Sequence, residues 1–147
     1  MKIYFATDHA GFEMKNKLLE FVKELGFEVE DCGAYEFNPD DDYPEFVKKA
    51  AQAVSEAPES SRAIVLGGSG QGEGIVVNKF LNVRSTVYYG GNLEIVKLSR
   101  EHNDANVLSL GARFLSLNEA KEAIKLWLET QFSKEERHRR RVAKIEN

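Results

Sequence analysis

Two short segments of the sequence combine side chains that could move protons and bind anions. Residues 7–11 (TDHAG) place the carboxylate of Asp8 beside the imidazole of His9. Residues 67–74 (GGSGQGEG) contain five glycines together with Ser69 and Glu73. Glycine-rich backbone can aim its N–H groups into one concavity that stabilises an oxyanion, and a neighbouring carboxylate is then placed to move a proton on an adjacent carbon. These residue types favour acid–base chemistry at carbon.

Ordinary structural explanations exist for the same loop. A tight strand-to-helix turn needs glycine for steric reasons, and a glutamate in the first turn of a helix commonly interacts with the helix dipole. The segment does not match G-x-G-x-x-G in any register, because the sixth position is Glu73 or Ile75, and no Gly-Lys-Ser/Thr follows. The sequence therefore argues against a dinucleotide or nucleoside triphosphate loop and leaves an anion-binding loop that carries a carboxylate.

A second group of cationic side chains lies in the C-terminal half. His102 falls near the predicted end of a helix, Arg113 follows a strand, and Arg137 and Arg141 are four residues apart, so they share one helical face and could grip one anion together. A solvated surface is the more common role of such charges. The three histidines lack metal-ligand spacing, and no Ser-His-Asp order stands out, so we expect neither a metal site nor a hydrolase.

Apolar periodicity predicts five strand-helix units that must position these residues. Such alternation favours an α/β fold, a doubly wound five-stranded parallel sheet in a Rossmann-like three-layer sandwich, with a C-terminal helix that projects from the body. The predicted strands cover 2–7, 27–30, 62–66, 83–88 and 106–110. The first predicted helix runs from Met14 to Leu25, the second begins near Pro44, and the third runs from Ile75 to Phe80. The fourth contains Leu93 to Leu98 and ends within 100–104, and the fifth begins at a capping box at 116–119.

Composition and charge narrow the class of protein further. The chain has 147 residues, 42% of them hydrophobic and 30% charged, which predicts a single globular domain over 1–147. The most apolar run, 63–66, is far too short to cross a bilayer, and the lone Cys32 fits a reducing compartment, so we expect a cytoplasmic protein without membrane contact. Residues 134–147 carry a net charge of +3 on a body of −7, and such an acidic body argues against nucleic-acid binding.

Seven motifs in fixed order give the chain a resemblance that extends over nearly its whole length. The sequence resembles the B-type ribose-5-phosphate isomerases, whose relatives include galactose-6-phosphate and allose-6-phosphate isomerases. The motifs are Asp8-His9-Ala10-Gly11, Asp42-Tyr43-Pro44, the segment from Gly67 to Glu73, Asn78-Lys79, Arg100-Glu101-His102-Asn103, Gly111-Ala112-Arg113, and Arg137-His138 with Arg141.

The resemblance implies aldose-ketose isomerisation of a phosphosugar through an enediolate, without a metal or an organic cofactor. It implies Glu73 as the base that carries a proton between C1 and C2, with Ser69 and loop amides stabilising the enediolate oxygens. The further roles that it implies are ring opening by Asp8 and His102, sugar contacts by Tyr43 and Asn103, loop contacts by Gly68, Gly70, Gly72 and Gly74, and phosphate binding by His9, Arg113, Arg137 and Arg141.

One departure from the family concerns the base. Many members carry a cysteine base at the position of Gly67, whereas this sequence resembles the branch with a glutamate at Glu73. Cys32, at the end of the second predicted strand, is then a structural or incidental thiol. An isomerase of a six-carbon aldose phosphate and a non-catalytic module that binds a phosphorylated metabolite remain as alternatives.

The predicted topology separates the implied residues into two groups. Asp8, Ser69 and Glu73 follow strands and so lie at the carboxyl edge of the sheet, while His102 and Asn103 end a helix just before a strand, at the opposite edge. The two groups should not meet within one chain. Since the resemblance also implies dimers with shared active sites, we expect a homodimer or a dimer of dimers in which each site draws on two subunits.

Overall fold

A five-stranded parallel sheet with helices on both faces forms the core of the chain. The computed structural model describes residues 1–146, and the strand order is β2-β1-β3-β5-β4. The predicted α/β fold is therefore confirmed. The strands are β1 Lys2–Thr7, β2 Glu28–Asp31, β3 Ser61–Gly67, β4 Ser85–Tyr88 and β5 Val107–Gly111; a 3-10 turn spans His9–Gly11, and the helices are α1 Phe12–Glu24, α2 Pro44–Glu56, α3 Gln71–Val77, α4 Glu94–Asn103, α5 Leu117–Glu129 and α6 Glu136–Glu146.

The central strand β3 explains why both faces of the sheet are covered. All seven of its residues are buried, as expected for a parallel strand between two helical layers. Ile64 and Leu66 pack on the face that carries α1, α4 and α5, while Ala63 and Val65 pack on the face that carries α2 and α3. Alternation of side chains along the strand therefore supplies two cores, and each fully buried Leu or Ile contributes about 1.5–3 kcal/mol.

Strand order brings three chemically interesting loops together. Because β1, β3 and β5 are neighbours, the segments that follow them meet at one edge of the sheet. The hydroxyl of Thr7 donates to the carbonyl of Leu66 at 2.9 Å, and the amide of Arg113 donates to the carbonyl of Gly68 at 3.1 Å. The glycine-rich loop is thus fixed from both sides.

Three boundaries differ from the sequence prediction near this loop. Helix α3 begins at Gln71, inside the glycine-rich segment, and it ends at Val77, before Phe80. Strand β4 begins at Ser85, where the prediction placed its start at Val83. Glycine is a poor helix former in isolation, so the early start of α3 depends on its tertiary setting.

The C-terminal helix lies along α4. His138 is buried, and its ring centroid is 4.3 Å from that of His102. At the far end of α6, Glu146 forms an ion pair with Arg84 and accepts a hydrogen bond from the amide of Asn82 at 3.1 Å. Among residues 1–146, no helix has the length and apolar character needed to span a membrane.

Candidate active site

A cavity of about 410 Å³ opens at the carboxyl edge of the sheet, where the loops after β1, β3 and β5 meet. Six of the candidate side chains predicted from the sequence line this cavity. One of them, Tyr43, lies at the start of α2. Backbone of the glycine-rich loop and the exposed ring of Phe114, which was not predicted, complete the wall. The lining residues are Asp8, His9, Ala10, Tyr43, Gly68, Ser69, Gly72, Glu73, Arg113 and Phe114.

Glu73 is the buried acid of this cavity. It lies in the first turn of α3 and is only 3% exposed. Burial raises the pKa of its carboxyl group above the ordinary value, and the negative charge of Asp8 raises it further, against the lowering effect of a backbone hydrogen bond. A carboxylate whose pKa is shifted toward neutrality is a stronger base than an ordinary glutamate and still gives up its proton again, which suits proton transfer at carbon.

Gly67 is required by the space that the Glu73 carboxyl group fills. A Cβ atom at position 67 would lie 1.8 Å from Oε1 of Glu73 and 2.1 Å from its Cδ. In this chain, the space that a side chain at position 67 would need is therefore occupied by the end of the Glu73 side chain. A cysteine at this position would have no room while Glu73 keeps this conformation.

The rest of the glycine-rich loop is also shaped by close contacts. Gly70 has a φ of +76°, and its carbonyl accepts a 2.6 Å hydrogen bond from the hydroxyl of Ser109. A Cβ atom at Gly72 would lie 2.4 Å from the hydroxyl oxygen of Tyr43. Ser69 is exposed, and its hydroxyl accepts a 3.3 Å hydrogen bond from the amide of Gln71. The loop thus presents a hydroxyl and backbone groups in a fixed conformation.

Asp8 and His9 line the opposite wall. Asp8 is buried and accepts a 2.9 Å hydrogen bond from the amide of Ala10, which caps the 3-10 turn. Both the amide and the Nδ1 of His9 contact Oδ1 of Asp41, at 2.9 Å and 2.7 Å. Asp41 was not among the candidate residues that the sequence indicated. Nothing in the pattern indicated this pairing across 32 positions of the chain.

Asp8, His9 and Asp41 also form the one group of possible metal ligands found among residues 1–146. Their ligand atoms all lie within 4.8 Å of one another. The 2.7 Å separation of Nδ1 and Oδ1 is the length of a charge-assisted hydrogen bond. That bond accounts for the cluster without a cation.

The remaining predicted residues do not line the cavity in the described chain, and these include Gly70 and Gly74 of the glycine-rich loop. His102, Asn103, Arg137 and Arg141 are absent from the cavity lining within the described residues. Asn103 borders a different cavity, and Arg137 forms an exposed 3.0 Å ion pair with Glu135. The two groups of residues therefore stay apart in one chain, as the topology predicted.

His138 of α6 packs against the ring of His102 in α4. Loss of solvent around the ring lowers the pKa of His138, and the nearby His102 and Arg137 lower it further. Its Nδ1 lies 2.7 Å from the hydroxyl oxygen of Ser133. This arrangement favours a neutral ring that packs against His102.

Cys32 lies outside the cavity, immediately after β2. The thiol is buried against the α2 face of the sheet, and burial raises the pKa of Cys32 to about 11. A thiol with so high a pKa is almost wholly protonated at neutral pH and is a poor nucleophile or base. The geometry agrees with a structural role for this residue.

Comparisons with known proteins place the chain in a family of sugar isomerases. The family model described as Ribose/Galactose Isomerase matches residues 3–145. Ribose-5-phosphate isomerase B of Mycobacterium tuberculosis is 39% identical over 97% of this chain and 86% of that protein, and the Escherichia coli enzyme of the same name is 37% identical over 98% and 93%.

Solved structures agree with the sequence comparison. Ribose-5-phosphate isomerase B from Mycoplasma genitalium, with bound ribulose-5-phosphate, superimposes with a TM-score of 0.94 at 32% identity, over 99% of this chain and 93% of that one. The enzyme of that name from Clostridium thermocellum gives a TM-score of 0.91 at 40% identity, over 99% and 95%. Together with the sequence matches, this full-length likeness means that the chain belongs to the ribose/galactose isomerase family.

Proposed function

We propose that this protein interconverts ribose 5-phosphate and ribulose 5-phosphate. The observation that carries the proposal is the buried carboxyl group of Glu73, with its raised pKa, in the cavity of a chain whose relatives are named ribose-5-phosphate isomerase B. An aldose-ketose isomerase needs one base that moves a proton between adjacent carbons and groups that stabilise the enediolate. The cavity offers residues of both kinds.

Glu73 is the base in the proposed reaction. Its carboxylate takes the proton from C2 of the open-chain aldose, and the electron pair forms the C1–C2 double bond while the carbonyl oxygen at C1 gains negative charge. Ser69 and the amides of the glycine-rich loop stabilise that oxygen, and transfer of the O2 hydroxyl proton to O1 lets the carbonyl form at C2. Glu73 then returns its proton to C1, so the base is regenerated and no redox group is required.

The other residues hold and open the sugar. Asp8 and His102 assist opening of the furanose ring, and Tyr43 and Asn103 contact its hydroxyl groups. Phosphate binding falls to the cationic set: His9, Arg113, Arg137 and Arg141.

These roles require a site shared by two subunits of a homodimer or a dimer of dimers. The cavity holds Asp8, Ser69 and Glu73, whereas His102 and the α6 arginines lie elsewhere in the same chain. Large apolar side chains are exposed on α3, just after the edge strand β4, on α4 and at the cavity wall, as at a surface that a second copy covers. They are Ile75, Tyr89, Ile95 and Phe114.

The chain organisation and location follow from the same proposal. Residues 1–147 make one isomerase domain, with 134–147 as a basic extension that supplies phosphate-binding arginines to the partner subunit. The enzyme acts in the cytoplasm on a phosphosugar.

The test is direct incubation of the purified protein with ribose 5-phosphate and with ribulose 5-phosphate. We expect interconversion in both directions to the same equilibrium ratio, followed by absorbance of the ketose or by NMR. Allose 6-phosphate and galactose 6-phosphate serve as comparison substrates. Higher kcat/KM on a six-carbon phosphate would reassign the substrate, and binding of these sugars without turnover of any would reduce the protein to a binding module.

A further inference from the structure

His9 is held by a carboxylate that does not itself reach the cavity. Oδ1 of Asp41 accepts the backbone N–H of His9 at 2.9 Å and contacts the ring Nδ1 at 2.7 Å. Asp41 is not among the residues that line the cavity in the described chain, whereas His9 is. Because a carboxylate only accepts hydrogen bonds, the short contact requires a hydrogen on Nδ1 and leaves Nε2 as the ring nitrogen for a ligand.

The burial of Asp41 indicates that its contact with His9 is a fixed part of the structure. The side chain is only 7% exposed, and Oδ2 is buried without a hydrogen-bond partner among residues 1–146. Removal of a carboxylate from water is costly unless its interactions compensate the loss. The contacts with His9 are thus the main interactions that compensate the cost of burying this carboxylate.

Neighbouring groups fix both partners. The amide of Asp41 donates to the carbonyl of Asn38 at 3.2 Å, and the side chain of Asn38 accepts from the amide of Asp40 at 3.0 Å. On the other side, the ring of Phe37 meets the imidazole edge to face, with centroids 6.4 Å apart. The imidazole is therefore confined between an aromatic ring and a carboxylate on one loop.

We propose that Asp41 is a positioning residue that locks His9 with Nδ1 bonded behind the ring and Nε2 directed to the substrate phosphate. The proposal rests on the proposed function, in which His9 binds phosphate. In the doubly protonated ring both nitrogens donate, one to Asp41 and the other to the phosphate. Asp41 acts through His9, so its loss should weaken phosphate binding without removing the base.

Steady-state kinetics on ribose 5-phosphate provide the first test. In Asp41→Asn we expect KM to rise roughly tenfold, the scale of one hydrogen bond to a charged group, with kcat within about twofold of wild type. Asp41→Ala should raise KM at least as much. Asp40→Asn is the matched control, since it removes the same charge from the same loop but not from His9, and it should leave both constants unchanged.

A double-mutant cycle separates action through His9 from a general effect on the loop. In a His9→Gln background, Asp41→Asn should change KM by less than about twofold, because the group that it positions is gone. ¹⁵N NMR of the imidazole gives an independent signature: wild type should show a hydrogen on Nδ1, and folded Asp41→Asn should lose that preference.

Inorganic phosphate keeps the test valid if the proposed activity fails. Phosphate binding to wild type, Asp41→Asn and Asp40→Asn is measured by calorimetry, and only Asp41→Asn should bind more weakly. A wild type that binds phosphate but isomerises no sugar would refute the proposed function alone. The Asp41 proposal is overturned if folded Asp41→Asn keeps wild-type KM and phosphate affinity, if kcat falls instead, or if the NMR signature is unchanged.

Discussion

At the scale of single residues, the proposed isomerisation depends on the Glu73 carboxyl group. Glu73→Gln keeps the size of the side chain and removes the base, so it should lower kcat by about 10²–10⁴-fold while KM changes little. Wild type should also exchange the C2 hydrogen of ribose 5-phosphate with solvent deuterium, and the variant should lose that exchange. Exchange at the wild-type rate in folded Glu73→Gln would exclude Glu73 as the base and make Asp8 the next candidate.

The raised pKa of Glu73 predicts opposite effects of pH on activity and stability. The base must be ionised, so kcat/KM should rise with pH through a pKa above the ordinary 4.5. Burial favours the protonated form of Glu73 in the folded state. The resulting contribution of Glu73 to the free energy of unfolding is fully present below pH 4.5 and is lost as pH rises through the raised pKa.

Thermal melting tests this relation. Glu73→Gln should have a higher Tm than wild type at neutral pH, and the difference should vanish below pH 4.5. If Glu73→Gln and wild type have the same Tm at neutral pH as well as below pH 4.5, burial of the ionised carboxylate does not destabilise the folded protein.

At the scale of elements, the sequence was sufficient for the sheet and for the loops that follow its strands. Buried runs such as 62–66 and the capping box at Ser116 are local signals, and the structure confirms them. The start of α3 at Gln71 and the pairing of Asp41 with His9 depend on contacts between distant segments. Such contacts leave no periodic pattern, so the sequence did not reveal them.

The contact between the β3 end and α3 predicts the effect of Gly67→Ala. The new Cβ would lie 1.8 Å from Oε1 of Glu73, so the carboxyl group must move. Because the obstructing atoms are at the end of a flexible side chain, Tm should fall little, whereas kcat should fall at least tenfold, as expected for a base displaced by about 1 Å. In a Glu73→Gln background, Gly67→Ala should reduce kcat by less than about twofold. A reduction as large as in wild type would show that Gly67→Ala does not act through displacement of the Glu73 carboxyl group.

At the scale of the whole molecule, the separation of the two residue groups predicts recovery of activity in mixed dimers. Glu73→Gln and His102→Ala should each have strongly reduced activity, and a hybrid of the two should contain one site with both groups intact. After complete subunit exchange of an equal mixture, about a quarter of the wild-type sites should be restored. Activity is measured alongside exchange between differently tagged subunits.

A second mixture is the control for this experiment. Glu73→Gln combined with Asp8→Ala should recover nothing, because both residues line the same cavity and every hybrid site lacks one of them. Verified exchange without recovery in the first mixture, or recovery in both, would contradict the shared site.

The space shared by Gly67 and Glu73 limits which substitutions this chain can accept at either position. A cysteine introduced at position 67 would compete with the glutamate carboxyl group for one volume, and loss of Glu73 alone would leave the cavity without its base. The effect of a side chain at position 67 therefore depends on the residue at position 73, and the two positions are coupled. A side chain at position 67 should therefore be tolerated only together with a smaller residue at position 73, so that evolution at this edge of the sheet must treat the two positions as one unit.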